Sequence, residues 1–475
     1  MTQKTNNLIA DPGSFRDPSG RVYQWGDRII RGLDSAALED YEKLSNEKFF
    51  IRAIEKEKII ATKPVTSEEL SECKNFTGND TWAGFVEHEK IPFISYPYEW
   101  SFSMLRDAAL LQLDVIERAY HAGWSLKDAT PYNIQWRGTK PVFIDTPSFQ
   151  QRVEGEQWGG YRQFCMLFLN PLMIKAHLDI SHNDLLRASL DGLTPPEAAR
   201  YFRGFSRLKK GVLTNVFFPA MIENSISKRE RDAVPAKKRT GGSHSDAMVI
   251  GLIQQMKRLV ASLKHPIEHT DWSRYENTHS YQDDDFKDKE EFVRRHAGTR
   301  HRSTIWDIGC NTGHFSKISS EFADHVISID GDHDAIEQLY QREKQQENSN
   351  ILPLNLNLAN LSPAQGWAHK ERRAFDDRSK PELILCLALI HHIRLSANIP
   401  CALFLDWLHS LQSEVIIEFV DRTDDMVIKL LSNKKEQYED YSLDIFESQV
   451  KERFEIIDQR DLKGGTRRIY MLQPK

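Results

Sequence analysis

Apolar positions in the last third of the chain come in short blocks separated by stretches of helical period. Strand-like runs stand at Thr304–Asp307, His325–Asp330, Ile351–Leu356, Leu383–Ala388, Val415–Phe419 and Ile469–Leu472. Helical patterns fill most of the gaps, among them Asp334–Glu347, Pro400–Leu411 and Ser442–Phe454. Near-continuous apolar strands alternating with helices predict parallel pairing and a doubly wound α/β sheet.

The first half is patterned differently. "RVYQWGDRIIRGL" (Arg21–Leu33) reads as two short strands around Gly26-Asp27, a tight hairpin. "DSAALEDYEKLSN" reads as a helix, with Asp34 or Ser35 as N-cap. "FFIRAIEKEKIIATKPV" fits helix and strand equally. Ser101–Ala122 carries Leu105, Ala108, Ala109, Leu113, Ile116 and Ala119 or Tyr120 on one face and predicts an amphipathic helix. "PVFID" (Pro141–Asp145) predicts a strand, and residues 156–225 a mostly helical region with Trp158, Tyr161 and Phe164 on one side. "SKRERDAVPAKKRTGGSHSD" (Ser227–Asp246) is basic and poor in apolar residues, which predicts an exposed flexible loop. A boundary near residue 265 separates a domain 1–265 from a domain 266–475. No internal repeat is visible.

Composition narrows the picture modestly. The 475 residues suffice for two or three domains with cores of their own. Hydrophobic content of 40% and charged content of 28% are ordinary for a globular protein, and a net charge of -6 gives no global attraction to nucleic acid or anionic membrane. Nucleic acid and membrane are therefore not expected partners. The basic stretch 228–239 is expected to be a solvated loop rather than a phosphate-binding patch. Five scattered cysteines, with no CxxC pair, point to a reducing compartment and against a disulfide framework or a cysteine zinc site. "MTQKTNNLIADPGSF" has no apolar core of the signal-peptide kind, and no apolar run approaches the roughly 20 residues that span a bilayer. A cytoplasmic location is expected, no metal is required, and the oligomeric state is left open.

Chemistry concentrates in "TIWDIGCNTGHFSKIS" (Thr304–Ser319). A strand ends at Asp307, then Gly309 and Gly313 flank Cys310, Asn311 and Thr312, and helical spacing resumes. In an open α/β sheet ligands bind beyond the carboxyl ends of the strands, and glycine there allows a tight turn and close backbone approach. The spacing is not the GxGxxG dinucleotide fingerprint, because an acid replaces its first glycine. Asp307 would repel a pyrophosphate and attract a cationic amine. Asp330, at the end of the second strand, is placed to accept ribose hydroxyls. A nucleoside carrying an amino acid fits both acids. Cys310 has a plain alternative as a small packing residue, and Asp332 one as an acid at a helix start.

At these residues the second half resembles the class I S-adenosylmethionine-dependent methyltransferases. "DIGCNTG", "VISIDGD" and "LILCLALIHHI" look like that family's first, second and fourth motifs, in order, over roughly residues 268–475. The resemblance implies a Rossmann-like sheet and S-adenosyl-L-methionine as cofactor. It implies that Asp307, Gly309, Cys310 and Gly313 pass the methionine moiety, that Asn311 of the same turn also binds the cofactor, and that Asp330 holds the ribose. Asp332 and Asn357 would lie toward the adenine, and Leu387 would also bind the cofactor. Asn357 stands where relatives often carry an acid; its carbonyl oxygen can accept a hydrogen bond without charge. His391 and His392 would face the acceptor: either one of them, His391 by preference, is a general base, or one shapes the pocket and the other caps or packs.

A second constellation lies upstream in "HAGWSLKDATPYNIQWRGTKPVFIDTPSF" (His121–Phe149). Asp128 and Asn133 have the D-x-x-x-x-N spacing of a kinase catalytic loop, and Asp145 ends the following strand. The region resembles the protein-kinase-like fold, in its aminoglycoside and choline kinase branch. In a working kinase Asp128 would take the hydroxyl proton, with Asn133 and Asp145 on magnesium. Yet the chain shows no glycine-rich loop, no V-A-I-K strand and no Phe-Gly after Asp145. A degenerate, α+β kinase-like accessory or substrate domain is expected. Over its whole length the chain resembles a bacterial family of class I methyltransferases related to a host-specificity nodulation protein. The expected activity is methyl transfer to a small-molecule or glycan-related acceptor. The rival readings are a phosphotransferase with an active kinase-like half and a non-catalytic two-domain adaptor.

Overall fold

In the computed structural model, which describes residues 8–66, 68–69, 73, 82–153, 155, 158–224, 246–266, 283–432, 434 and 438–475, the chain divides into two units. One comprises Met1–Pro266 with Gln365–Arg372, the other Ile267–Ala364 with Arg373–Lys475. Segment Gln365–Arg372, counted above with the second half, thus packs with the first. The tract expected to be a basic loop lies, apart from Asp246, outside the described residues.

The first unit opens with strands β1 (Leu8–Ala10), β2 (Gly20–Trp25), β3 (Arg28–Leu33), β4 (Thr62–Pro64) and β5 (Gly84–His88), which form an antiparallel sheet in the order β1-β2-β3-β5-β4. β2 and β3 are the hairpin expected at Gly26-Asp27, and Gly26 adopts φ +60° there. Asp34 caps the helix Ser35–Leu44 by accepting the Ala37 N–H. The ambiguous stretch splits: Lys48–Glu55 is helical, and the chain then straightens into β4. Helix Phe102–His121, capped by Ser101, buries Leu105, Ala108, Ala109, Leu113, Ile116 and both Ala119 and Tyr120. Two small antiparallel pairs follow: β6 (Trp124–Leu126) with β9 (Phe149–Gln151), and β7 (Ile134–Arg137) with β8 (Lys140–Phe143). Beyond them the unit is mainly helical, with Trp158 packed on Tyr161 and Phe164.

The second unit is built on strands β10 (Arg302–Ile308), β11 (Ala323–Asp330), β12 (Ile351–Asn355), β13 (Leu383–Cys386), β14 (Glu414–Val420), β15 (Phe454–Asp461) and β16 (Arg467–Pro474). Their order is β12-β11-β10-β13-β14-β16-β15. β10 to β14 are parallel, as alternation with helices requires, and the sheet reverses direction on either side of β10. This is a Rossmann-like sheet. One strand departs from an all-parallel expectation: β16 pairs antiparallel with both β14 and β15, so β15 runs in the same direction as β14. β15 was not legible in the sequence: its burial alternates residue by residue, as suits an edge strand, and it starts directly where helix Leu443–Arg453 ends. Ile305, Val326, Ile351, Leu383, Leu385 and Ile416 form one continuous core, closed on one side by Phe292 and Val293 of helix Asp283–Ala297.

Candidate functional site

Parallel pairing brings the carboxyl ends of β10, β11, β12 and β13 to one edge of the second sheet. The turn after β10 is held to its neighbour by two amides, Gly309 N–H and Cys310 N–H, which both reach the Ile329 carbonyl at 2.8 and 3.0 Å. Gly309, Asn311 and Gly313 all adopt left-handed φ, of +76°, +50° and +81°. Gly313 has a second reason to be glycine. A Cβ there would meet Leu339 Cδ1 at 2.5 Å, so the glycine lets the helix His333–Lys344 pack against the turn. A Cβ at Gly309 would sit 3.1 Å from Leu389, from the turn after β13.

Asp330 lies at the end of β11. Its Oδ2 accepts the Asn311 N–H and its Oδ1 the Asp332 N–H, both at 2.8 Å. The Gly331 N–H adds to these two, and a carboxylate with about four lone-pair sites keeps room for a further donor. Burial pushes its carboxyl up, against these backbone donors. The Oδ1 of Asn311 is buried and has no hydrogen-bond partner in the protein. Asp307 is only 2% exposed. Its Oδ2 accepts from Ser316 Oγ at 2.6 Å, and that hydroxyl accepts from Ser328 Oγ at 2.8 Å. Burial pushes the Asp307 carboxyl up to about 7, opposed by Ser316.

Other predicted residues have plainer local duties. Cys310 packs with Ile336 and Leu339. Asp332 caps the helix His333–Lys344, accepting from the N–H groups of Asp334 and Ala335. Asn357 Oδ1 accepts the Ala359 N–H at 2.9 Å, so the oxygen expected to meet the adenine already caps a turn. Leu387 directs its side chain into the core, beside Leu385. Asn357 does lie next to the end of β11, its Cα 3.7 Å from where a Gly331 Cβ would stand.

His391 and His392 follow β13, their ring centroids 4.2 Å apart. His391 is buried, and its Nδ1 has no partner in the protein. Burial holds its basicity well below the ordinary histidine range, reinforced by the charges of His392, Arg467 and Lys289. Both rings are therefore neutral near pH 7, His392 by burial alone.

The sequence reading missed a buried charged network beside these rings. Glu418, on β14, is fully buried; it meets Lys289 Nζ at 3.1 Å and Arg467 at 3.3 Å. Its Oε2 accepts the Ala388 N–H at 2.8 Å, and Ala388 is left-handed at φ +48°. Arg467 also pairs with Asp424 at 2.8 Å. The signal was a lone acid inside the apolar run "VIIEFV".

In the first unit, Asn133 Nδ2 donates to Asp128 Oδ1 at 2.7 Å, and Ser148 Oγ donates to the same oxygen at 3.2 Å. Ser148 N–H bonds the Asp145 carbonyl at 3.1 Å. The three predicted residues thus share one neighbourhood. Asp145 is paired with Arg31 of β3 at 2.5 Å, which sets a guanidinium beside this cluster. Burial raises the Asp128 carboxyl, with Asp145 adding to the effect. In the same unit Arg372 lies 3.9 Å over the Tyr132 ring, while Arg16 grips Glu371 with two hydrogen bonds of 2.7 Å.

No family model matches the chain. The chain is 31% identical, over 467 residues, to the nodulation protein NoeA of Rhizobium meliloti (strain 1021), spanning 97% of this chain and 95% of that protein. Among solved structures it is similar to the N-methyltransferase NodS from Bradyrhizobium japonicum WM9, at 13% identity over 41% of this chain and 99% of that one, with a TM-score of 0.28. It is also similar to the magnesium protoporphyrin IX methyltransferase ChlM from Synechocystis PCC 6803 with bound SAM. There the identity is 13%, the coverage 44% of this chain and 87% of that one, and the TM-score 0.30.

Proposed function

The chain belongs to the family of the nodulation protein NoeA, and from that premise we propose that it is an S-adenosylmethionine-dependent methyltransferase acting on a small-molecule acceptor. The observation that carries this reading is the pairing of Asp330 with the left-handed turn 309–313. Two backbone amides hold that carboxylate at the strand end, and the buried Asn311 Oδ1 beside it has no partner in the protein. An acid able to accept ribose hydroxyls, an unsatisfied acceptor and a glycine turn suit a nucleoside with an amino-acid arm.

S-adenosylmethionine supplies a methyl group on a sulfonium, already a good leaving group. The remaining tasks fall to the chain. Asp330 accepts from the ribose, and the 309–313 turn offers close backbone approach. Asp307 lies beneath that turn and favours a cationic group above it, since a nearby positive charge restores its ionised form. His391 is neutral in this setting and is the candidate base for the acceptor's proton, although the burial that keeps it neutral also weakens it as a base. Alignment of acceptor and methyl provides much of the remaining rate.

The test is calorimetric. S-adenosylmethionine is expected to bind the full chain, and Asp330→Ala to weaken binding by about ten- to a hundredfold, the loss of a charged acceptor at about 1.5–3 kcal/mol. Absence of heat and of any thermal shift with the cofactor would end this reading. With an acceptor in hand, His391→Ala is expected to lower turnover by roughly 10²- to 10⁴-fold while leaving cofactor affinity near that of the parent.

For the first unit, the order of Asp128, Asn133 and Asp145 supports a kinase-like accessory domain. The Arg31–Asp145 ion pair favours a binding role over phosphoryl transfer, because it occupies the acid that would otherwise hold a cation.

A further inference from the structure

The longest acid-free, base-rich stretch with an exposed apolar face lies in the first unit, far in sequence from the chemistry above. From Ala198 to Ile222 the chain has no Asp or Glu but has Arg200, Arg203, Arg207, Lys209 and Lys210, in a protein whose net charge is -6. The segment is firmly seated. Phe202, Val212 and Val216 are fully buried and Ala220 nearly so. Gly211, at φ +81°, lies so close to Leu259 that a Cβ would meet it at 2.8 Å. Arg207 ties the turn Gly204–Leu208 to the helix that follows: its Nε donates to the Phe202 carbonyl, and its guanidinium lies 5.2 Å over the Phe217 ring.

The outward side carries large apolar side chains as well. Phe205 is 91% exposed and Leu208 69%, and Leu213, Phe218 and Ile222 of helix 212–224 are exposed as well. Arg203, Arg207, Lys209 and Lys210 are exposed among them. A helix that is apolar on both faces at a protein surface is unusual unless something covers its outer side. Protein interfaces are depleted of lysine at their apolar centres, and here Lys209 and Lys210 directly follow Leu208. Large apolar side chains interleaved with cations, with Glu223, the one acid of helix 212–224, paired to Arg162, match the boundary of an anionic lipid bilayer, where the rings enter the acyl edge and the cations meet headgroup phosphates.

We propose that the face formed by Phe205, Leu208, Leu213, Phe218 and Ile222, with Arg203, Lys209 and Lys210, is a peripheral docking surface for an anionic membrane. It differs from the absence of a membrane partner expected from net charge, because the charge that matters here is local. It requires no spanning segment; no helix among the described residues is long and apolar enough to cross a bilayer.

Co-sedimentation of the full chain with vesicles tests it. Binding is expected to vesicles of phosphatidylglycerol and phosphatidylcholine in equal parts, to fall with added salt, and to be weak on phosphatidylcholine alone. Phe205→Ser/Leu208→Ser and, separately, Lys209→Gln/Lys210→Gln should each reduce it at least about tenfold. These side chains are exposed, so both variants should keep the parent's circular dichroism and melting temperature. No sedimentation with anionic vesicles would overturn the proposal, as would undiminished binding by both variants. A dimer seen by analytical ultracentrifugation, abolished by Phe205→Ser/Leu208→Ser and unaccompanied by vesicle binding, would assign the face to a second copy instead. Vesicle binding that emerges only after deletion of residues 228–242 would assign it to the chain's own segment, and the proposal would fail for the full protein.

Discussion

Asp307 shows how one side chain makes stability depend on pH. Its folded-state carboxyl titrates near 7, against an ordinary value of 3.8. The folded chain therefore holds this proton more tightly than the unfolded chain does. The stability tied to Asp307 is fully present below pH 4 and is lost as the pH rises toward 7, by up to about 4 kcal/mol at 1.36 kcal/mol per pH unit. Urea denaturation of the cofactor-free protein should show this loss, and Asp307→Asn should flatten it over the same window. If parent and variant lose stability in parallel between pH 4 and 7, Asp307 is ionised in the folded state and the account of its burial is wrong. The motif itself announced an acid at this place. Its partners, Ser316 and Ser328, come from a helix and a neighbouring strand, and no local pattern pairs them with it.

Among elements, the return from β13 depends most on distant support. Ala388 is left-handed without being glycine, and its N–H is held by Glu418 of β14. Glu418 in turn faces Lys289 and Arg467 in a fully buried setting. Glu418→Gln keeps an acceptor for Ala388 but leaves the two cations short of one negative charge. A loss of about 3–5 kcal/mol is expected in equilibrium unfolding. Lys289→Met in the Glu418→Gln background should recover part of it, because it removes one of the stranded cations. Full additivity of the two substitutions would rule out their coupling. β10 to β14 were legible because each is an apolar run buried on both faces. β15 was not, because half its residues face solvent and the preceding helix pattern runs straight into it.

At the scale of the whole molecule, each unit carries a candidate ligand site, and one cofactor should distinguish them. Hydrogen exchange with saturating S-adenosylmethionine should show added protection at 309–313, 330–332 and 387–393. At a hundred times Kd, ligand binding adds about 2.7 kcal/mol against opening of the unit that binds it. Protection centred instead on 124–151 would move the cofactor to the Asp128 cluster and overturn the assignment.

Spacing and period alone determined that the second half is a doubly wound sheet, that a glycine turn follows its first strand, and that Asp128, Asn133 and Asp145 belong in one region. Those are local properties: strand burial, glycine conformation and short-range order leave marks within a few residues. Tertiary structure alone decided which partner each polar group takes. It paired Asp145 with Arg31, 114 residues away; it set Glu418 against Lys289, 129 residues away; and it turned Asn357 to cap its own turn. It also placed Gln365–Arg372 with the first unit and left Phe205 and Leu208 facing outward. A hydrogen bond or an ion pair depends on distances of a few ångströms, and only the folded chain brings such distant residues that close.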